Sequence, residues 1–179
     1  AVRDLPPRDA VHTWTVDRHL AETVARANDA RTGVEAWEWP FPEAIVPWES
    51  VLLAALLHDL GKRPGAHGPD HPGVGAALVP AVLERLGLSP RAPEVALLVD
   101  HHLVLAELAT KEDPNAPGTA ERLLDAIGGS EHAPAALAVH TKADSQGAGP
   151  KAWTAWRAEL IASLVRSAWA RLGSGSAVR

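Results

Sequence analysis

The chain contains no cysteine, so disulfides and thiolate chemistry are excluded and any metal site must draw on His, Asp or Glu. It contains no methionine and opens at Ala1, which reads as a piece cut from something longer. Tyrosine is absent and Phe41 is the only phenylalanine. Basic charge is scarce: 17 Lys and Arg stand against 22 Asp and Glu, for a formal net charge of -5. That argues against nucleic acid as the main partner, because phosphate binding needs basic patches. No apolar run reaches the roughly 20 residues of a membrane-spanning helix, and no signal peptide is visible at the start. The expectation is therefore a cytoplasmic protein with no membrane partner. What is present in quantity is alanine, leucine and valine, the first two strong helix formers. At 179 residues the chain suits one domain with a substantial core.

Periodicity and punctuation predict an all-α chain of about seven helices, with no strand and no internal repeat. The first spans about Asp9 to Asn28, with Val16, Leu20 and Val24 at helical spacing. Residues 31–48, rich in Trp and Pro (Trp37, Trp39, Pro40, Pro42, Pro47), read as an ordered loop or short turns. A second helix, Trp48 to Leu60, is stopped by Gly61, and "KRPGAHGPDHPGVG" from Lys62 to Gly75 reads as a loop. A third helix follows to Leu86, with a kink expected at Pro80. Ser89-Pro90 suits the start of a fourth, which ends near Leu108. A fifth spans Thr119 to Ile127, and a sixth, capped by Ser130, reaches Asp144 and is broken by "SQGAGP". The last runs from Lys151 to Leu172. Residues 1–172 are thus expected to form the domain, and 173–179 ("GSGSAVR") a flexible tail or linker.

Nine histidines punctuate this pattern. "LLAALLHDLGK" (Leu52–Lys62) ends an apolar run in His58-Asp59, although burying a charge is costly unless something pairs with it. His19 lies in "TVDRHL", His71 follows Asp70 in the turn-rich segment, His101-His102 interrupt "ALLVDHHLVL", and Asp144 closes "HTKAD". His and Asp side chains on several helices are how a bundle builds a metal site in its core. A lone histidine on an apolar face is more often a hydrogen-bonded core residue, so the weight lies on the combination. His12, His67, His132 and His140 read as surface residues or as neighbours of the ligands, and Asp17 and Asp100 as solvated helix positions.

His19, His58-Asp59 and Asp144 together resemble the signature of the HD superfamily of metal-dependent phosphohydrolases. "HTWTVDRHL", "ALLHDLGK", "DHPGVGA", "LVDHHLVL", "HTKAD" and "AWTAWRAEL" follow one another in the order found in the HD domain of the bifunctional PII uridylyltransferase/uridylyl-removing enzymes. The likeness covers nearly the whole chain and is weakest over residues 31–48. Full-length members place this domain between a nucleotidyltransferase domain and two ACT domains, and neither neighbour is legible here. The sequence departs from the family at four places. Pro72 stands where Ser or Thr is usual, the loop before it is longer and includes His67, Lys111-Glu112 replaces a basic pair before Asp113, and His140 replaces an apolar residue.

The resemblance implies a compact helical bundle with a metal site in its core and hydrolysis of the nucleotidyl-tyrosine bond on a PII nitrogen-signalling protein, releasing UMP or AMP. It assigns His19, His58, Asp59 and Asp144 to one divalent ion and His71 and His102 to a second, with Asp59 as the bridge and as the central catalytic residue. The family points to Mn or Mg; the mixed nitrogen and oxygen donors also suit Fe, Co or Zn. Lys62 is a candidate for contacting the phosphate, or a cation favourable to a helix C-terminus. Asp17, Asp70 and Asp113 are candidates for orienting ligands or touching substrate; Asp17 would have to meet a histidine on another element, since residues two apart do not face each other on a helix. Two rival readings share the same ligands: a stand-alone HD phosphohydrolase acting on a free nucleotide or cyclic dinucleotide, and a non-catalytic, metal-stabilised regulatory module.

Overall fold

The computed structural model describes residues 2–6, 13–33, 41–42, 45–62 and 70–176. Among these are eight α-helices and no strand: α1 (Val16–Arg31), α2 (Trp48–Leu57), α3 (His71–Arg85), α4 (Ala92–Asp100), α5 (Val104–Lys111), α6 (Pro117–Ala126), α7 (Ala133–Ala148) and α8 (Ala155–Ser176). A short 3₁₀ turn, Ser89–Arg91, leads into α4. None of these helices is long and apolar enough to cross a membrane.

α7 is the central helix. Every residue from Ala133 to Ala143 is buried, the polar His140, Thr141 and Lys142 among them, because neighbouring helices enclose α7 on several sides. Its small side chains let α1 lie close against it along its length. At Gly147 the approach is closest, since a Cβ there would stand 2.8 Å from Thr23 Oγ1 and 3.0 Å from the Thr23 amide nitrogen. α2 packs on α1, α4 and α7, α3 lies on α4, and α8 closes the far side against α5, α6 and α7. The shared core includes Val51 and Ala54 of α2, Leu83 of α3, Leu98 of α4, Leu105 of α5, Leu123 of α6, and Ile161 and Leu164 of α8. Each buried leucine of this kind contributes about 1.5–3 kcal/mol of transfer free energy. Phe41 and Val46, from the Trp-rich segment, join this core, and Phe41 lies 6.4 Å from the Trp169 ring. Trp37 and Trp39 lie outside the described residues.

Several expected boundaries move, each for a local reason. α1 begins at Val16, not near Asp9, and residues 7–12 lie outside the described set. The amides that would start an earlier turn are engaged elsewhere: Thr13 N–H donates to Ala148 O (3.0 Å) and Val16 N–H to Leu5 O (2.9 Å). α3 begins at His71, so the end of the expected loop is helical; Pro72 sits in its first turn, where a missing N–H costs nothing. The expected fourth helix is two, α4 and α5, separated by a turn at residues 101–103. α2 ends at Leu57, and His58 to Gly61 form a turn rather than its last helical residues. α7 continues to Ala148 and α8 to Ser176, past the expected Leu172.

Candidate metal centre

Six side chains from five places in the fold converge. His19 comes from α1, His58 and Asp59 from the turn after α2, His71 from the first residue of α3, His102 from the turn between α4 and α5, and Asp144 from α7. His19, His58, Asp59 and His102 are almost fully buried, at 1%, 1%, 1% and 2% exposure. His71 and Asp144 are partly exposed.

The two helix ends that deliver His58 and His102 use the same device. A helix leaves its last carbonyls without intrahelical donors. His58 Nδ1 lies 3.1 Å from Ala55 O, and His102 Nδ1 lies 2.7 Å from Val99 O, in each case the carbonyl three residues back. A carbonyl can only accept, so Nδ1 carries the hydrogen in both rings. In each ring Nε2 is thereby the atom turned to the centre, as in metal-binding histidines.

Two overlapping groups result, one of His19, His58 and Asp59 and one of Asp59, His71 and His102. In the first, His19 Nε2 and His58 Nε2 stand 3.2 Å apart, and Asp144 Oδ1 lies 2.8 Å from His19 Nε2 and 3.4 Å from His58 Nε2. Asp59 Oδ2 is 3.8 Å from His19 Nε2 and 3.5 Å from His58 Nε2. In the second, Asp59 Oδ1 is 3.5 Å from His71 Nε2 and 3.9 Å from His102 Nε2, and the two imidazole nitrogens are 3.3 Å apart. Asp59 thus turns one oxygen to each group. Both of its oxygens are buried and receive no hydrogen bond; Lys62 Nζ forms an ion pair with Oδ2 at 2.8 Å, outside hydrogen-bond geometry. Donor atoms about 2.0–2.2 Å from one ion stand roughly 3–3.5 Å from each other. These spacings, the buried carboxylate without a hydrogen bond and the converging imidazole nitrogens fit divalent cations.

The electrostatics follow from burial and crowding. Burial works to raise the Asp59 carboxyl, but His58, Lys62 and His102 outweigh it against the repulsion of Asp144, and its pKa falls to about 2. Burial likewise opposes ionisation of Asp144, yet His58 and His19 hold it well below the usual range. Burial lowers His102 to about 4, and His58 adds to the effect. His71 is lowered mainly by burial. In His58, burial is outweighed by the charges of Asp59 and Asp144, and its pKa is raised.

The remaining candidates lie elsewhere. Asp17 is engaged by the Thr15 side chain and the backbone of Asp4, which keep its carboxyl below the ordinary value. Asp113 is exposed, and its Oδ1 accepts the Asn115 amide at 2.9 Å. Asp70 is exposed at the start of α3. Glu112, in place of a basic residue, pairs with Arg122. His132 is exposed, and His12 and His67 lie outside the described residues. His140 is fully buried, its ring 5.0 Å from that of His58 and 6.0 Å from that of His102, with neither nitrogen hydrogen-bonded. Its surroundings in sequence, "AALAVH", are a signal for burial.

A helical bundle with an HD pair at the end of its second helix and histidines on its flanking elements defines a class. The family model for the HD domain matches residues 13–132, and the chain belongs to that family. Asp144 lies beyond the matched stretch, and the fold returns it to the centre. Among curated proteins the chain is similar to bifunctional uridylyltransferase/uridylyl-removing enzymes. It is 44% identical to that of Mycobacterium tuberculosis over 168 residues, covering 92% of this chain and 19% of the relative. With the Streptomyces coelicolor enzyme it shares 41% over 167 residues, covering 92% and 18%. With the Burkholderia mallei enzyme it shares 32% over 171 residues, covering 92% and 19%. The chain therefore spans about a fifth of the length of these relatives.

Proposed function

We propose that this chain is a metal-dependent phosphodiesterase domain that removes UMP or AMP from a tyrosine of a PII signalling protein. The observation that carries the hydrolase reading is the division of Asp59, one oxygen toward His19 and His58 and the other toward His71 and His102. Similarity to uridylyl-removing enzymes along 92% of the chain supports the substrate class.

In this reading His19, His58, Asp59 and Asp144 would hold one divalent ion, and Asp59, His71 and His102 would hold a second. Mn or Mg fits the family; Fe, Co or Zn fits the imidazole-rich donors. When bound, such ions screen a phosphodiester anion and bring the pKa of water toward neutrality. The chain's own part is to keep the donors ready. Asp59, with its pKa near 2, is a carboxylate at any physiological pH. His102, near 4, is neutral there and offers its Nε2 lone pair. Lys62, paired with Asp59 and partly exposed, places a positive charge where a phosphate would enter. A tyrosine phenolate leaves with a pKa of about 10, so no strong general acid is required.

The test is to incubate the chain and Mn²⁺ with PII carrying UMP or AMP, beside an Asp59→Ala control. The expected outcome is metal-dependent release of the mononucleotide, reduced to background in the control. Bound metal with no release from PII would overturn the substrate assignment. Cleavage of a free nucleotide or cyclic dinucleotide in the same preparation would then identify a stand-alone phosphohydrolase, and no cleavage of either a regulatory module.

A further inference from the structure

Gly61 closes the turn that carries His58 and Asp59, yet it does not use the left-handed backbone that usually calls for glycine. What its position cannot accept is volume. A Cβ there would lie 1.9 Å from His71 O and 2.9 Å from both His71 C and Gly75 N. All three are backbone atoms at the start of α3, so no side chain can swing aside to relieve the overlap. Across the contact, a Cβ at Gly75 would stand 3.4 Å from Gly61 N and His58 O, and 3.2 Å from Val99 Cγ1. The turn that carries His58 and Asp59 is therefore seated backbone to backbone on the turn that carries His71. That seating brings His71 Nε2 to 3.5 Å from Asp59 Oδ1 and 3.3 Å from His102 Nε2. His19 and Asp144 come from α1 and α7, whose main packing partners do not include α3.

We propose that Gly61, with Gly75 opposite it, is a positioning residue that builds the second half of the centre: it admits the first turn of α3 close enough for His71 to share Asp59 with His102. This rests on the two-ion reading above. A methyl group at Gly61 pushes α3 and His71 outward and leaves the group of His19, His58, Asp59 and Asp144 in place. Two ions become one.

The test is Mn²⁺ titration of the metal-free 179-residue chain, followed by calorimetry for stoichiometry and by electron paramagnetic resonance for coupling between neighbouring ions. The unaltered chain is expected to bind two ions with a coupled signal. Gly61→Ala should keep the first ion's affinity, lose the coupled signal, and weaken the second ion about 10- to 100-fold, as loss of an outer supporting contact does. His71→Ala is the reference for that pattern. Gly75→Ala, whose contacts are looser, should weaken the second ion less. Two coupled ions of unaltered affinity in Gly61→Ala would overturn the proposal. A single ion in the unaltered chain would instead overturn the two-ion reading, and the proposal with it. If circular dichroism shows Gly61→Ala unfolded, Gly75→Ala decides: selective weakening of the second ion supports the proposal, and no change or equal weakening of both ions overturns it.

Discussion

At the scale of the residue, His140 is the sharpest departure from local expectation. A buried polar atom without a hydrogen bond costs about 1–3 kcal/mol, and this ring buries two such nitrogens. Burial, reinforced by His58, holds its pKa well below the ordinary histidine value and keeps it uncharged. His140→Leu is close to conserving volume and removes the unsatisfied atoms. It should stabilise the metal-free chain by about 1 kcal/mol or more, read as a rise in the urea midpoint. A clear fall would show that the ring nitrogens are satisfied in solution. The sequence left His140 between a surface role and a place beside the ligands. Its apolar run favoured burial, but only the packing of α7 under His58 and His102 decided it. Asp59 is the opposite case. "LLHDLGK" alone marked an imidazole and a carboxylate that needed a partner, and the structure supplies the surroundings that keep the carboxylate ionised.

At the scale of the element, the helices were legible where periodicity was long and poorly legible where proline and glycine were dense. "DHPGVG" carries the residues of a loop, yet a proline is tolerated in a first helical turn and Gly75 is needed for close packing, so His71–Gly75 is helix. The break at His101–Leu103 was hidden in an apolar run whose pattern suits one continuous helix. Capping was partly visible: Ser130 Oγ accepts the Ala133 amide at 3.3 Å at the start of α7. At α8 the cap is Thr154, whose Oγ1 accepts the Arg157 amide at 3.2 Å, three residues after the expected start. Thr154→Ala should cost about 1 kcal/mol, measured by chemical denaturation, with the stoichiometry of metal binding unchanged because Thr154 lies on the exposed side of the bundle. A stability equal to that of the unaltered chain would mean that the end of α8 frays without this bond.

At the scale of the whole molecule, the centre ties stability to pH. A histidine whose pKa is lowered by folding binds fewer protons in the native state than in the unfolded chain, so acid favours unfolding. His102 falls from an ordinary value of 6.5 to about 4; at about 1.4 kcal/mol per unit, this is on the order of 3 kcal/mol, lost progressively between those two pH values. His71 and His140 act in the same direction, while His58, raised by Asp59 and Asp144, opposes them. The lowered carboxyls of Asp59 and Asp144 contribute stability above the unfolded carboxylate range that is lost only at lower pH. The metal-free chain should therefore show a falling urea midpoint from pH 7 to pH 5, and a flat profile would contradict the burial of these rings. By itself the sequence determined that the chain is helical, because its composition and spacing admit little else. It also determined that any metal must be held by His, Asp or Glu, because no thiol exists. The family resemblance anticipated Asp59 between two groups of histidines; only the tertiary structure decided the distances that divide its oxygens, that α4 and α5 part at His102, and that Asp17 and Asp113 stand apart. Those outcomes depend on how closely α3 approaches the turn after α2 and how α1 lies on α7, and backbone contact between distant segments leaves no periodicity to read.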